Sequence, residues 1–197
     1  MKRTFDVVFS FLGLVILSPI LLIVSIIIRK EDRGPVIYKS KRTGLSGRPF
    51  TMFKFRTMIV DADKAGPGST SDSDIRITRI GRILRKYKID EIPQLFNVLT
   101  GQMSFVGPRP EIKKFTDLYT DEEKLILSVK PGITDWASIW NSDEGKILDG
   151  SLDPDKAYLE LIRPEKIRLQ LKYVKNHNFF IDLKIIFLTL KKIIIKR

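Results

Sequence analysis

Residues Val7 to Ile28 read VVFSFLGLVILSPILLIVSIII, without a single charge. As a helix rising ~1.5 Å per residue the stretch is about 33 Å long, enough to cross a bilayer core of ~30 Å. A secretory signal peptide fits poorly. No small-x-small cleavage site closes the stretch, and Arg29-Lys30-Glu31-Asp32 follows it directly. Two features oppose a plain span. Ser18-Pro19 sits at its middle, where proline removes a backbone hydrogen bond and disfavours helical Ser18. Basic residues flank both ends, Lys2 and Arg3 before and Arg29, Lys30 and Arg33 after, so the positive-inside preference draws both ends to one side. A helix broken at Ser18-Pro19 that dips in and returns satisfies both signals. A kinked span and a buried hairpin of a soluble core are the alternatives.

Around this segment the chain has 197 residues, the size of one domain. Charged residues at 29% and hydrophobics at 43% are ordinary globular values. There is no cysteine, which excludes disulfides, thiolate metal sites and a cysteine nucleophile. The one histidine, His177, excludes sites that need two and reads as structural. Lys and Arg number 35 against 23 Asp and Glu, a net charge of +12. Anionic partners follow: nucleic acid, acidic lipid or phosphate-bearing substrates.

The C-terminal run Phe179 to Arg197 carries Lys184, Lys191 and Lys192 at helical spacing. It reads either as a basic amphipathic helix in the headgroup layer or as a core helix with a solvated lysine face. Pro35 to Lys39 and Pro49 to Arg56 are rich in β-formers, and Gly44-Leu45-Ser46-Gly47 between them is turn chemistry, so a β-hairpin is expected near 36–56. Asp61 to Asp74 reads as a loop, either a lid or a plain connector.

Arg76, Arg79, Arg82 and Arg85 recur every three residues, along one side of a predicted helix. They lead into Lys88-Ile89-Asp90-Glu91-Ile92-Pro93. Pro93 suits a first helical position with Ile92 extended before it, which sets Asp90 and Glu91 at or before a helix N-terminus. Acids beside an arginine row, next to a membrane segment, suit phosphates and a bridging metal. Arg109, between Pro108 and Pro110, stands on stiff backbone. It is either a phosphate or carboxylate clamp or a surface turn.

Taken in order, Ser18-Pro19, Lys54-Phe55-Arg56-Thr57-Met58, Leu84-Arg85, Asp90 to Leu99, Met103 to Pro110 and Lys130-Pro131-Gly132-Ile133-Thr134 make a joint pattern. From about Lys2 to Lys192 the chain resembles the bacterial sugar transferase family, the monotopic phosphoglycosyl transferases, in its minimal catalytic form. The resemblance implies transfer of a sugar-1-phosphate from a UDP-sugar to polyprenyl (undecaprenyl) phosphate with release of UMP. This is a first membrane step of glycoconjugate or exopolysaccharide assembly, dependent on Mg2+. It implies Asp90 as nucleophile forming a phosphoryl-Asp, Glu91 and Asp90 at the metal, and Arg109 with Pro108 at the nucleotide or phosphate. Lys54, Arg56, Arg82 and Arg85 would form a cationic pocket. It also implies a mostly helical α+β fold: a re-entrant membrane segment over 1–33, kinked at Ser18 and Pro19, and a catalytic domain over 34–197 on the cytoplasmic face of the inner membrane, among membrane lipids.

Two departures stand out. Many members have Gly-Trp-Ala-Gln where this chain has Asp135-Trp136-Ala137-Ser138, within an altered stretch running to Lys146. Many also carry an acid where this chain has Gln170. A catalytically idle membrane adaptor of the same fold is the alternative these leave. A nucleic-acid binder rests on charge alone, since no zinc-finger, Rossmann, P-loop or aromatic RNA-platform pattern occurs.

Overall fold

The apolar N-terminal stretch forms one helix, α1 (Lys2–Asp32), in the computed structural model, which describes residues 1–62, 66, 68–142 and 144–195. Readings that fall on Asp63, Lys64, Ala65, Pro67, Asp143, Lys196 or Arg197, such as parts of the 61–74 loop and of the 135–146 stretch, lie outside the described residues. Helical conformation continues through Ser18-Pro19, which corrects the expected break. The reason is local. Pro19 has no N–H to offer the Val15 carbonyl four residues earlier. Ser18 Oγ donates to that same carbonyl at 2.7 Å, so no acceptor is left bare.

Asp6, Ser10, Val24 and Ile28 are buried on one stripe of α1, with Gly13, Leu17 and Leu21 partly buried between them. Steps of three and four residues keep these positions on one face. The other faces expose Phe9, Phe11, Val15, Ile16, Leu22 and Ile23. Both ends of the helix are tied to the same body. At the N-terminal end Lys2 pairs with Asp182 at 2.6 Å and donates to the Val106 carbonyl at 2.8 Å. Arg3 donates to the Leu99 carbonyl at 2.8 Å, and Asp6 accepts from Ser104 Oγ and the Phe105 N–H, both at 3.1 Å. At the other end Asp32 takes both terminal nitrogens of Arg56, and Glu31 accepts from the Ile80 N–H at 3.2 Å.

The expected hairpin forms from β1 (Ile37–Thr43) and β2 (Pro49–Phe55), antiparallel, with Tyr38 opposite Lys54 and Arg42 opposite Phe50. Next comes α2 (Arg79–Lys86), started by Thr78, whose side chain accepts from the Gly81 N–H. That cap leaves Arg76 outside the helix, so the arginine row is shorter than its spacing suggests. Arg76 instead pairs with Asp74 at 2.6 Å. A 3-10 turn over Ile89–Glu91 precedes α3 (Gln94–Leu99). Ile92 is helical there (φ −55°, ψ −37°), not extended as its place before Pro93 suggests. Its N–H continues the run of turns by donating to the Ile89 carbonyl, and the N–H of Leu95 donates to the Ile92 carbonyl.

A parallel pair that the sequence reading did not anticipate forms from β3 (Ser104–Val106) and β4 (Gly132–Thr134), with Ser104 opposite Gly132 and Val106 opposite Thr134. It needs close backbone approach: a Cβ at Gly132 would lie 2.1 Å from the Gly107 nitrogen. Short helices α4 (Lys113–Thr116), α5 (Trp136–Trp140), α6 (Glu144–Ile147) and α7 (Pro154–Ala157) lead to α8 (Arg163–Asn176) and α9 (Phe179–Ile195). Val24 and Ile28 pack with Phe55 and Leu84; Val106 packs with Tyr173 and Ile185 of the last two helices. Thus α9 packs one face on the domain and exposes the stripe Leu183, Phe187, Leu190 and Ile194 beside Lys184 and Lys191. The packed face matches the core-helix reading, and the outer face is apolar with lysines beside it. The described part of the 61–74 loop is pinned at Ser69 to Asp155 (2.8 Å) and at Asp72 to the Gly145 carbonyl (3.1 Å).

Candidate active site

The turn before α3 presents Asp90 and Glu91 in opposite electrostatic circumstances. Glu91 receives Lys54 from β2 on Oε1 at 3.0 Å and Arg109 on both oxygens, with Nη1 at 3.1 Å from Oε2. Burial opposes the charge on Glu91, but Arg109 and Lys54 outweigh it and hold its carboxyl well below the usual range. Reciprocally, the Glu91 charge raises the Arg109 guanidinium, while burial lowers the Lys54 ammonium.

Asp90 is buried, and its Oδ1 has no hydrogen-bond partner among the described residues. Burial raises its carboxyl; Lys54 counters this, and the neighbouring Glu91 charge adds to it. A buried acceptor without a donor is costly and is retained where chemistry needs it.

The predicted cations divide. Lys54 and Arg109 meet at Glu91. Arg85 donates from Nε to Thr57 Oγ1 at 2.9 Å, and the Asp90 charge works against the burial that lowers it. Arg56 is not in the pocket: Asp32 and the Pro35 carbonyl (2.6 Å) occupy it, so it serves to hold the end of α1. Arg82 is exposed on α2. Pro108 is buried, and its carbonyl accepts from the Gly132 N–H at 3.0 Å, which seats the Arg109 backbone on β4. Arg109 is therefore engaged on the Glu91 carboxylate rather than projecting from a free surface turn. His177 caps the exposed end of α8 with Nδ1 2.9 Å from the Val174 carbonyl, in the structural role expected.

The sequence reading missed Arg42. It lies on the hairpin face that carries Lys54, and burial lowers its guanidinium while Glu111 supports it and Arg109 opposes it. Its hydrogen bond runs from Nε to Ser40 Oγ at 3.0 Å, and its terminal nitrogens have no partner among the described residues. Two-residue alternation along β1 was the available signal.

For a divalent cation the donor set is lean. The described residues contain no cluster of three acids or histidines. A magnesium ion commonly takes one or two carboxylates and completes its shell with waters and substrate phosphates. The orphaned Asp90 Oδ1 fits that mode, with Glu91 adjacent.

The sequence profile described as "Bacterial sugar transferase" matches residues 1–196. The chain is 39% identical to an uncharacterized sugar transferase of Bacillus subtilis over 99% of this chain and 88% of that protein. It is 40% identical to an undecaprenyl-phosphate glucose phosphotransferase of Komagataeibacter xylinus over 100% of this chain and 36% of that protein. It is 34% identical to a UDP-N-acetylgalactosamine-undecaprenyl-phosphate N-acetylgalactosaminephosphotransferase of Aeromonas hydrophila over 98% of this chain and 43% of that protein. The chain thus spans most of the first relative and less than half of the other two. On the length of the profile match and these identities, the chain belongs to the bacterial sugar transferase family.

Proposed function

We propose that this chain moves a sugar-1-phosphate from a UDP-sugar to polyprenyl phosphate, through a phosphoryl group carried on Asp90. The observation that carries the reading is the contrast between two adjacent buried acids. Glu91 is neutralised by Lys54 and Arg109, while Asp90 keeps an unpartnered oxygen. A carboxylate stripped of donors and water is a stronger nucleophile than a solvated one.

In the first step Asp90 Oδ1 attacks the sugar-bearing phosphorus. The bond from that phosphorus to the bridging oxygen breaks, and UMP leaves with the electron pair. In the second, a phosphate oxygen of the polyprenyl phosphate attacks the same phosphorus, giving polyprenyl-diphosphate-sugar and freeing the carboxylate. Like charges approach in both steps, so Arg109, Arg85 and Arg42 supply the opposing charge. Asp90 would hold Mg2+ together with the diphosphate, where the ion supplies further neutralisation; both oxygens of Glu91 are already taken by Arg109 and Lys54.

The lipid acceptor accounts for the apolar surface. Both ends of α1 are tied to the same body, Lys2 to Asp182 and Asp32 to Arg56, which supports a one-sided disposition over a plain span. In this reading the exposed faces of α1 and α9 meet the membrane from one side, and the basic residues at both ends of α1 support the cytoplasmic side. The test is UMP release by purified protein in detergent with Mg2+, undecaprenyl phosphate and a panel of UDP-sugars. Lipid-dependent release with one or more donors supports the reading; none with any donor overturns it.

A further inference from the structure

The two positions that depart from the family pattern, Asp135 and Gln170, touch each other. Asp135 is fully buried at the start of α5, and every group on its oxygens is a donor. The N–H and hydroxyl of Ser138 reach Oδ1 at 2.6 and 2.7 Å; the Arg109 N–H and Gln170 Nε2 reach Oδ2 at 3.2 and 3.1 Å. Four donors and no acceptor converge on its two oxygens. Gln170, fully buried on α8, also donates from Nε2 to the Arg109 carbonyl at 3.4 Å. Its amide orientation is forced, because both neighbours of Nε2 are acceptors, and its Oε1 is left without a partner. An apolar residue would fill this interior without that orphan. The cost of burying it is offset only by what Nε2 holds.

We propose that Asp135 and Gln170 form a clamp that grips the Arg109 backbone at its N–H and its carbonyl, and so sets the reach of the guanidinium to the substrate phosphates. They are positioning residues; neither touches the reacting atoms. This rests on the transferase reading given above. Residue 170 must be a donor toward Asp135, which glutamine is at every pH and a carboxyl is only when protonated.

Gln170→Glu therefore tests the clamp by pH. Its protonated form donates to Asp135 as the amide does. Its ionised form sets two carboxylates about 3 Å apart and repels. The charged and titratable groups around the pair among the described residues include Arg109 from the segment after β3, Lys166 and Tyr173 from α8, Glu144 from α6 and, at the far end of α5, Lys192 from α9. All of them are shared with wild type, so the ratio of variant to wild type isolates position 170. KM for the UDP-sugar, relative to wild type, is expected to rise about tenfold between pH 6 and pH 9 with kcat changing less. Tm relative to wild type falls over the same range. Gln170→Met, which donates at no pH, shows the raised KM throughout.

A pH-independent ratio for Gln170→Glu, or a wild-type KM for Gln170→Met, overturns the clamp. A Tm that follows pH while KM stays fixed leaves the contact but refutes its positioning role. If the wild type turns over no donor, the transferase reading fails and the positioning role with it, whereas the Tm series still reads the pairing by itself.

Discussion

Lys54 donates to Glu91 Oε1 at 3.0 Å on one side while Arg109 holds Glu91 on the other, and the adjacent Asp90 keeps Oδ1 free. Hairpin, turn and β3-to-α4 segment meet at one carboxylate. The meeting neutralises Glu91 and leaves Asp90 as the acid with unspent charge.

Asp90→Asn is expected to lower turnover by ~10³-fold or more and yet to stabilise the fold. The raised carboxyl of Asp90 binds its proton more tightly folded than unfolded, so its penalty is nil at low pH and grows as pH rises above ~3.9 toward the folded value. Asparagine removes that penalty. Unfolding at pH 8 should show a gain on the order of 1 kcal/mol that vanishes near pH 3. A destabilised Asp90→Asn at pH 8 contradicts the burial argument.

Glu91 and Glu111 behave with the opposite sign. Both carboxyls are lowered against the pull of burial, Glu91 by Arg109 and Lys54 and Glu111 by Lys166. Their contribution is present above the unfolded value of ~4.3 and is lost as pH falls through the folded values. Lys54→Met removes one of the cations on Glu91. It should cost about 1–3 kcal/mol at pH 7 and move the acid-unfolding midpoint upward. An unchanged midpoint means that Lys54 does not support Glu91 in solution.

Gly132→Ala should cost roughly 2–4 kcal/mol, because the new methyl meets the Gly107 nitrogen at 2.1 Å and must part β3 from β4. Arg109 follows Gly107 by two residues, so activity should fall with stability. A variant as stable and as active as wild type refutes the close approach.

Tags placed at the two termini should both be reached from the cytoplasmic side. Ser18→Ala leaves the Val15 carbonyl without the donor that Pro19 cannot supply. It should destabilise the membrane-bound protein by about 1 kcal/mol, and Ser18→Ala with Pro19→Ala together should recover it. Tags on opposite faces refute the one-sided disposition.

Much of this was legible in the chain. Turn residues 44–47 between β-formers announce the hairpin, and the stretch from Asp90 through Arg109 contains Glu91 and Arg109, two of the residues that meet at the Glu91 carboxylate. What was not legible depends on distant partners. Arg56 looked like a pocket cation until Asp32, from the end of α1, claimed it. The row from Arg76 to Arg85 looked continuous until the Thr78 cap divided it. The Ser18-Pro19 break was inferred from what proline lacks, and the hydroxyl beside it supplies a substitute bond. The strands of the parallel pair are three residues each and far apart in sequence, too short for alternation to show.

The most direct test of the central claim is a single-turnover experiment without lipid acceptor. Purified protein, Mg2+ and a UDP-sugar identified as donor are mixed, and released UMP and protein-bound sugar phosphate are counted. A covalent step on Asp90 predicts up to one equivalent of UMP per protein, with the sugar phosphate retained on the wild-type chain and neither signal from Asp90→Asn. UMP that appears only after polyprenyl phosphate is added, with no label on the protein, contradicts it.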